Sequence, residues 1–163
     1  MDDFHQIRMT TREGAFPREV AASDSGARRA LARCRVQMKA ETTAMIAANS
    51  VNKGDVLASA RFAGIQAAKS ASSLLPMSHT VLVGNTYINF TIGDVFVEVE
   101  ASVDTVDRTG VEMEAMTAVT VAALTIYDMC KSFDRTMTIE QVALWEKSGG
   151  RSGQWRREES SPQ

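Results

Sequence analysis

A chain of 163 residues with 44% hydrophobic and 23% charged side chains is long enough for one domain with a sizeable core, and nothing in that composition suggests wholesale disorder. A formal net charge of −2 argues against broad non-specific affinity for nucleic acid, although Arg28, Arg29, Arg33, Arg35 and Lys39 form a local cluster available to phosphates. Two cysteines, Cys34 and Cys130, make neither a disulfide framework nor a metal set and read as buried free thiols on apolar helical positions, as in a reducing compartment.

The start, Met1-Asp2-Asp3-Phe4-His5, is acidic and lacks an apolar run, and no later segment reads as an uninterrupted membrane span. The expected address is the cytoplasm, with neither membrane nor nucleic acid as partner. Residues 1–22 are expected to be loosely ordered, with one short strand around residues 16–20. Ser23-Asp24-Ser25 then offers side-chain oxygens to cap a helix running to about residue 47. Ala27, Ala30, Leu31, Cys34, Met38, Thr42 and Met45 would form its apolar face, with Arg28, Arg29, Arg35 and Lys39 on the other.

Residues 49–54 read as a loop and Asp55 as the cap of a second helix, whose small residues Ala60, Ala63, Gly64, Ala67 and Ala68 allow close packing. Pro76 should end that segment. Ile88, Phe90 and Ile92 then alternate with polar neighbours, Gly93-Asp94 supplies a turn, and Val95, Val97, Val99, Ala101 and Val103 alternate again, the pattern of a β-hairpin with one buried face. A long helix is predicted over residues 111–133 and a last strand over residues 138–144, with Ile139, Val142 and Leu144 apolar. The polar residues 154–163 should fray, leaving residues 23–153 as one α+β domain with helices on one face of an antiparallel sheet.

The long helix carries the first chemical signal. Glu114, Thr117, Val121, Thr125 and Asp128 share one stripe, with Lys131 a turn beyond Asp128. Glu114 and Asp128 are separated along the axis by about 21 Å at the helical rise, too far to act on one atom within a straight helix. A symmetric homo-oligomer can bring the start of one such helix to the end of another. The simpler account has Glu114 and Lys131 complementing the helix dipole, but Asp128 faces the wrong sign of that dipole and stays unexplained.

Three loops add candidates, each with an ordinary alternative. Lys53 precedes a helix N-terminus where backbone donors favour an anion, or is a surface lysine in a turn. His79 follows Met77-Ser78 in a loop, where a neutral imidazole can relay protons. Lys147-Ser148-Gly149-Gly150-Arg151-Ser152-Gly153 has the composition of a phosphate loop without its motif order, and flexibility explains its glycines equally well. No HxxxH or CxxC spacing suggests a metal site.

Taken together, Lys53-Gly54-Asp55 with Ala63-Gly64-Ile65-Gln66-Ala67-Ala68-Lys69, then Leu75-Pro76-Met77-Ser78-His79 and residues 109–115, 122–131 and 147–153 resemble the cyclic pyranopterin monophosphate synthase family, molybdenum cofactor biosynthesis protein C. The resemblance spans residues 28–153. It implies a ferredoxin-like α+β subunit in a hexamer built as a trimer of dimers, with sites at subunit interfaces. It further implies a lyase that needs no metal or redox cofactor and rearranges a nucleotide triphosphate, 3′,8-cyclo-7,8-dihydro-GTP, to cyclic pyranopterin monophosphate with loss of pyrophosphate. On this chain the resemblance assigns Asp128, Lys131 and Lys53 to proton transfer. Met77, Ser78, His79, Glu112, Met113 and Glu114 fall on the substrate-contacting blocks, and Arg28 and Lys147 on phosphate contacts.

Two departures stand out. Ser78 and Thr80 replace the cysteine and proline usual beside the site histidine, and Glu19-Val20-Ala21 replaces Asp-Val-Ser. Serine keeps a small polar group but is less acidic than a thiol. Competing readings are a catalytically weak paralogue that binds a nucleotide or a pterin-pathway partner, and a related lyase acting on another modified nucleotide.

Overall fold

A computed structural model describes residues 25–158, and the expectations for residues 1–22, for Glu19-Val20-Ala21 and for the last five residues lie outside the described part. The elements follow in the order β1 (Gly26–Gln37), α1 (Ala40–Ala47), α2 (Val56–Leu74), β2 (Thr86–Ile92), β3 (Phe96–Asp107), α3 (Glu112–Cys130), β4 (Thr138–Ser148) and β5 (Trp155–Arg156). The strands form one antiparallel sheet in the order β2-β3-β1-β4-β5, and the helices pack on it, an α+β architecture.

The first expected helix is instead mostly strand. Ala30, Ala32, Cys34 and Val36 are all buried, at a spacing of two, while their odd-numbered neighbours are not. The helical reading mixed residues from both faces of the pleat; Leu31, counted as apolar helix face, lies opposite Ala30. Pairing on both edges, with β3 and β4, makes β1 the central strand, and that long-range pairing outweighs the local helix preference of Ala, Leu and Arg. Cys34 is therefore on a strand, and only Ala40–Ala47 is helical.

The second helix and the hairpin match the sequence reading. Asp55 accepts a hydrogen bond from the Ala58 N–H at 2.9 Å, and Leu75, before Pro76, is extended at φ −109°. Gly64 lets α2 approach α3: a Cβ there would collide with Ile88 Cδ1 and sit 3.0 Å from the Ala118 carbonyl. In β4 a bulge at Gln141, with φ +54°, breaks the expected alternation. Ile139 and Leu144 pack on the core, whereas Val142 is exposed. The tail expected to fray contains β5, paired through Trp155 and Arg156 with Lys147 and Glu146.

α3 also corrects the expectation about membrane spans. By length and a mean hydropathy of 1.2 it is apolar enough to cross a bilayer, and the Thr120 and Thr125 hydroxyls within it donate to the Met116 and Val121 carbonyls of the same helix. Ala115, Ala118, Val119, Ala122, Ala123 and Ile126 are fully buried, so the helix has the burial of a core element.

Candidate functional site

α3 positions two groups of side chains, one at each end. At its start, Glu112 and Glu114 occupy the first turn, where the helix dipole favours negative charge. Lys147 reaches Glu112 Oε1 from β4 at 2.9 Å; it points to the helix-covered side because its partner Ala30 does. Glu114 is 3% exposed. Burial, reinforced by the neighbouring Glu112 charge, holds its carboxyl above the usual range against a lowering backbone hydrogen bond.

A cleft of 180 Å³ opens between this turn and the loop after α2. Met77, Ser78, His79, Glu112, Met113 and Glu114, the six substrate contacts expected from the resemblance, all line it, together with Thr109 and Gly110.

Arg28 lies on the same side of the sheet, two positions before Ala30 on β1, and is only 9% exposed. Its Nε donates to the Asp107 carbonyl at 2.8 Å. Gly149 and Gly150, at φ +88° and +76°, make room for it, since a Cβ on Gly150 would overlap Arg28 Nη1. These glycines seat an arginine, a role that neither a phosphate loop nor simple flexibility anticipated. Their φ values are the part sequence composition did not reveal.

At the other end of α3, Lys131 Nζ meets Asp128 Oδ1 at 2.6 Å. Lys53 donates to the Asp128 carbonyl at 2.9 Å and lies 4.0 Å from Oδ2. Lys53 thus turns away from the N-terminus of α2 and satisfies a C-terminal carbonyl of α3 instead. The Lys131 hydrogen bond and charge, then the Lys53 charge, hold the Asp128 carboxyl below its ordinary value. Two ammonium groups therefore explain how Asp128 tolerates the negative end of the dipole. All three side chains are about half exposed, and ion pairs so placed add little stability.

One chain brings together the predicted residues of each group but leaves the groups at opposite ends of a 19-residue helix. The expected basic face is also divided. Arg29, Arg33 and Arg35 occupy the open side of the sheet, opposite Arg28, and are matched by Asp104 at 3.7 Å, Glu100 at 2.7 Å and Glu98 at 3.4 Å. Arg33 and Arg35 further stack on Trp145 and Phe96. A ladder of paired charges leaves little attraction for phosphate there.

Both thiols are free and buried. Burial, with Glu98 adding to it, pushes Cys34 up to about 12, and burial with Asp134 pushes Cys130 up to about 11 despite Lys53. Among the described residues no three His, Cys, Asp or Glu side chains converge as a metal set would.

The family model described as the MoaC family matches residues 18–150, most of the chain. The chain belongs to the MoaC family. It is 52% identical over 137 residues to the cyclic pyranopterin monophosphate synthase of Roseiflexus sp. (strain RS-1), covering 83% of this chain and 87% of the relative. It is 50% identical over 161 residues to the enzyme of that name from Thermomicrobium roseum, covering 98% and 92%. A third relative with that name, from Listeria welshimeri, is 49% identical over 141 residues, covering 86% and 88%. Asp107, the last residue of β3, gives Arg28 its backbone carbonyl, and a main-chain acceptor leaves no mark in the sequence.

Proposed function

We propose that the protein is a cyclic pyranopterin monophosphate synthase of molybdenum cofactor biosynthesis, a lyase acting on 3′,8-cyclo-7,8-dihydro-GTP with release of pyrophosphate. The observation that carries this reading is the convergence, in a chain half identical to proteins of that name, of Met77, Ser78, His79, Glu112, Met113 and Glu114 on one cleft. In this reading Arg28 and Lys147 hold the triphosphate, as fixed cations suit phosphate oxygens. The cleft orients the purine-derived part, and Asp128, Lys131 and Lys53 move protons while one ring opens and another closes. The presence of Lys53, His79, Glu112, Glu114, Asp128 and Lys131 where the resemblance expects them weighs against a catalytically weak paralogue, and Ser78, which stands in place of the usual cysteine, still places a small hydroxyl in the cleft.

The reading requires a homo-oligomer, because each end of α3 supplies half of a site, and the family resemblance makes it a hexamer built as a trimer of dimers. The flank of α3 supports it: Met113 and Leu124, large apolar side chains 44% and 55% exposed on the same helix side as Asp128, are ones a second copy would cover. The β–α–β–β–α–β succession with β2, β3, β1 and β4 adjacent in that order supports a ferredoxin-like subunit. A cytoplasmic location goes with the same reading.

The test supplies the cyclised nucleotide to wild-type protein and to Lys131→Ala and measures pyranopterin and pyrophosphate. Wild-type turnover well above that of the variant is expected; equal rates reject the proposal.

A further inference from the structure

Asp134 is a carboxylate with no exposed surface, outside both groups described above. Its Oδ2 accepts from the Lys39 N–H and the Thr42 hydroxyl, each at 2.9 Å, and its Oδ1 from the Thr136 hydroxyl at 2.8 Å and the Thr136 N–H at 3.1 Å. Burial alone would raise its pKa; these hydrogen bonds override it and bring the carboxyl down to about 2. The group is therefore a fully satisfied buried anion, an arrangement that an apolar side chain of similar size often matches for stability but not for fixed geometry.

What it joins is specific. Lys39 is the N-cap residue of α1, and its own side chain makes no capping bond, so Asp134 caps α1 from elsewhere in the chain. The Asp134 N–H donates to the Cys130 carbonyl at 3.1 Å, which fastens it to the last turn of α3. From α1 the path to Lys53 is short and constrained: Ser50 N–H donates to the Met45 carbonyl, Val51 is buried, and Gly54 N–H returns to the Val51 carbonyl.

We propose that Asp134 is a positioning residue for Lys53, Asp128 and Lys131. It rivets the beginning of α1 to the end of α3 and so fixes the loop carrying Lys53 against Asp128. The inference rests on the proposed proton-transfer role of those three residues, and it acts through them rather than on substrate.

The experiment uses full-length Asp134→Asn, Thr42→Val and Thr136→Val. Two readouts are taken on each: kcat and KM with the cyclised nucleotide, and the titration of the Asp128 carboxyl by NMR of protein labelled with 13C at aspartate Cγ. For Asp134→Asn, kcat should fall on the order of a hundredfold, the scale of a small misplacement of a reacting group, with KM within about twofold because the cleft at the far end of α3 is untouched. The Asp128 titration should move up as Lys53 draws away, and the two valine variants should shift both readouts less but in the same direction.

An Asp134→Asn protein that folds with unchanged kcat and an unchanged Asp128 titration overturns the proposal, as does a rise in KM with kcat intact. If Asp134→Asn does not fold, the valine variants decide, and wild-type values in both overturn it. Should wild-type protein fail to turn the nucleotide over, the proposed function falls, while the Asp128 titration still tests whether Asp134 places Lys53.

Discussion

Replacing Gly150 with alanine would separate the seat of Arg28 from the general cost of a left-handed residue. Gly150 and Gly153 both have positive φ, +76° and +66°, but a Cβ on Gly153 meets nothing within 4 Å whereas one on Gly150 meets the Arg28 guanidinium. Both substitutions incur about 1–2 kcal/mol of left-handed strain, offset in part by reduced freedom of the unfolded chain. Only Gly150→Ala must also displace the guanidinium, whose Nε bond to the Asp107 carbonyl is largely buried, and a lost hydrogen bond from a charged group costs about 1.5–3 kcal/mol. Urea unfolding should therefore place Gly150→Ala below Gly153→Ala by about 1.5–3 kcal/mol. If Arg28 grips the triphosphate, KM should rise by about tenfold or more in Gly150→Ala and stay near wild type in Gly153→Ala, since a loss of about 1.4 kcal/mol in binding is tenfold. Equal stability losses and equal KM values in the two variants would refute the reasoning.

Glu114→Gln should be more stable than wild type at neutral pH: a carboxyl raised by burial stabilises the fold only while protonated, and that contribution is lost as pH rises through its elevated folded value. Thermal unfolding at neutral pH checks this, and a less stable glutamine variant counts against it. Asp134 works in the opposite sense. Its folded value of about 2 lies below the ordinary 3.8, so its contribution is present above the ordinary value and disappears as pH falls between them. The difference in urea midpoint between wild type and Asp134→Asn should shrink across that acid window, and a pH-independent difference would contradict the assignment. Gly64→Ala gains about 1 kcal/mol of helix propensity but must push Ile88 aside at about 1–3 kcal/mol, so a net destabilisation of up to about 2 kcal/mol is expected in denaturant unfolding.

The parts of the fold read correctly were those with local, redundant signals. Asp55 and Pro76 bracket α2, and the strict alternation through Val97, Val99, Ala101 and Val103 needs a strand with one covered face. β1 was misread because Ala30, Leu31 and Cys34 suit a helix as well as a strand, and only its two long-range partners, β3 and β4, decide. The bulge at Gln141 hid the register of β4 for a similar reason: positive φ in a non-glycine residue leaves no compositional mark.

Within the site, Asp128 was legible because a carboxylate at the end of an apolar helix violates the dipole rule, and the i, i+3 spacing to Lys131 predicts the observed ion pair. The grouping of His79 with Glu112 and Glu114 came from family resemblance. Nothing in spacing links a loop after α2 to the start of α3. Arg28 entered from the same resemblance, while its buried setting depends on two glycines more than a hundred residues away. Asp134 was invisible because the donors that tie it to α1, the Lys39 N–H and the Thr42 hydroxyl, lie far away in the chain, while its two bonds from Thr136 make only an ordinary local turn.

The most direct test of a site divided between the two ends of α3 is mixing of inactive subunits. Glu112→Ala disables the start of the helix and Lys131→Ala its end, so each homo-oligomer should be inactive. Co-expression at equal levels should restore about a quarter of wild-type turnover, because that fraction of randomly formed interfaces pairs an intact start with an intact end. Mixed oligomers that form and remain as inactive as either parent would contradict a shared site.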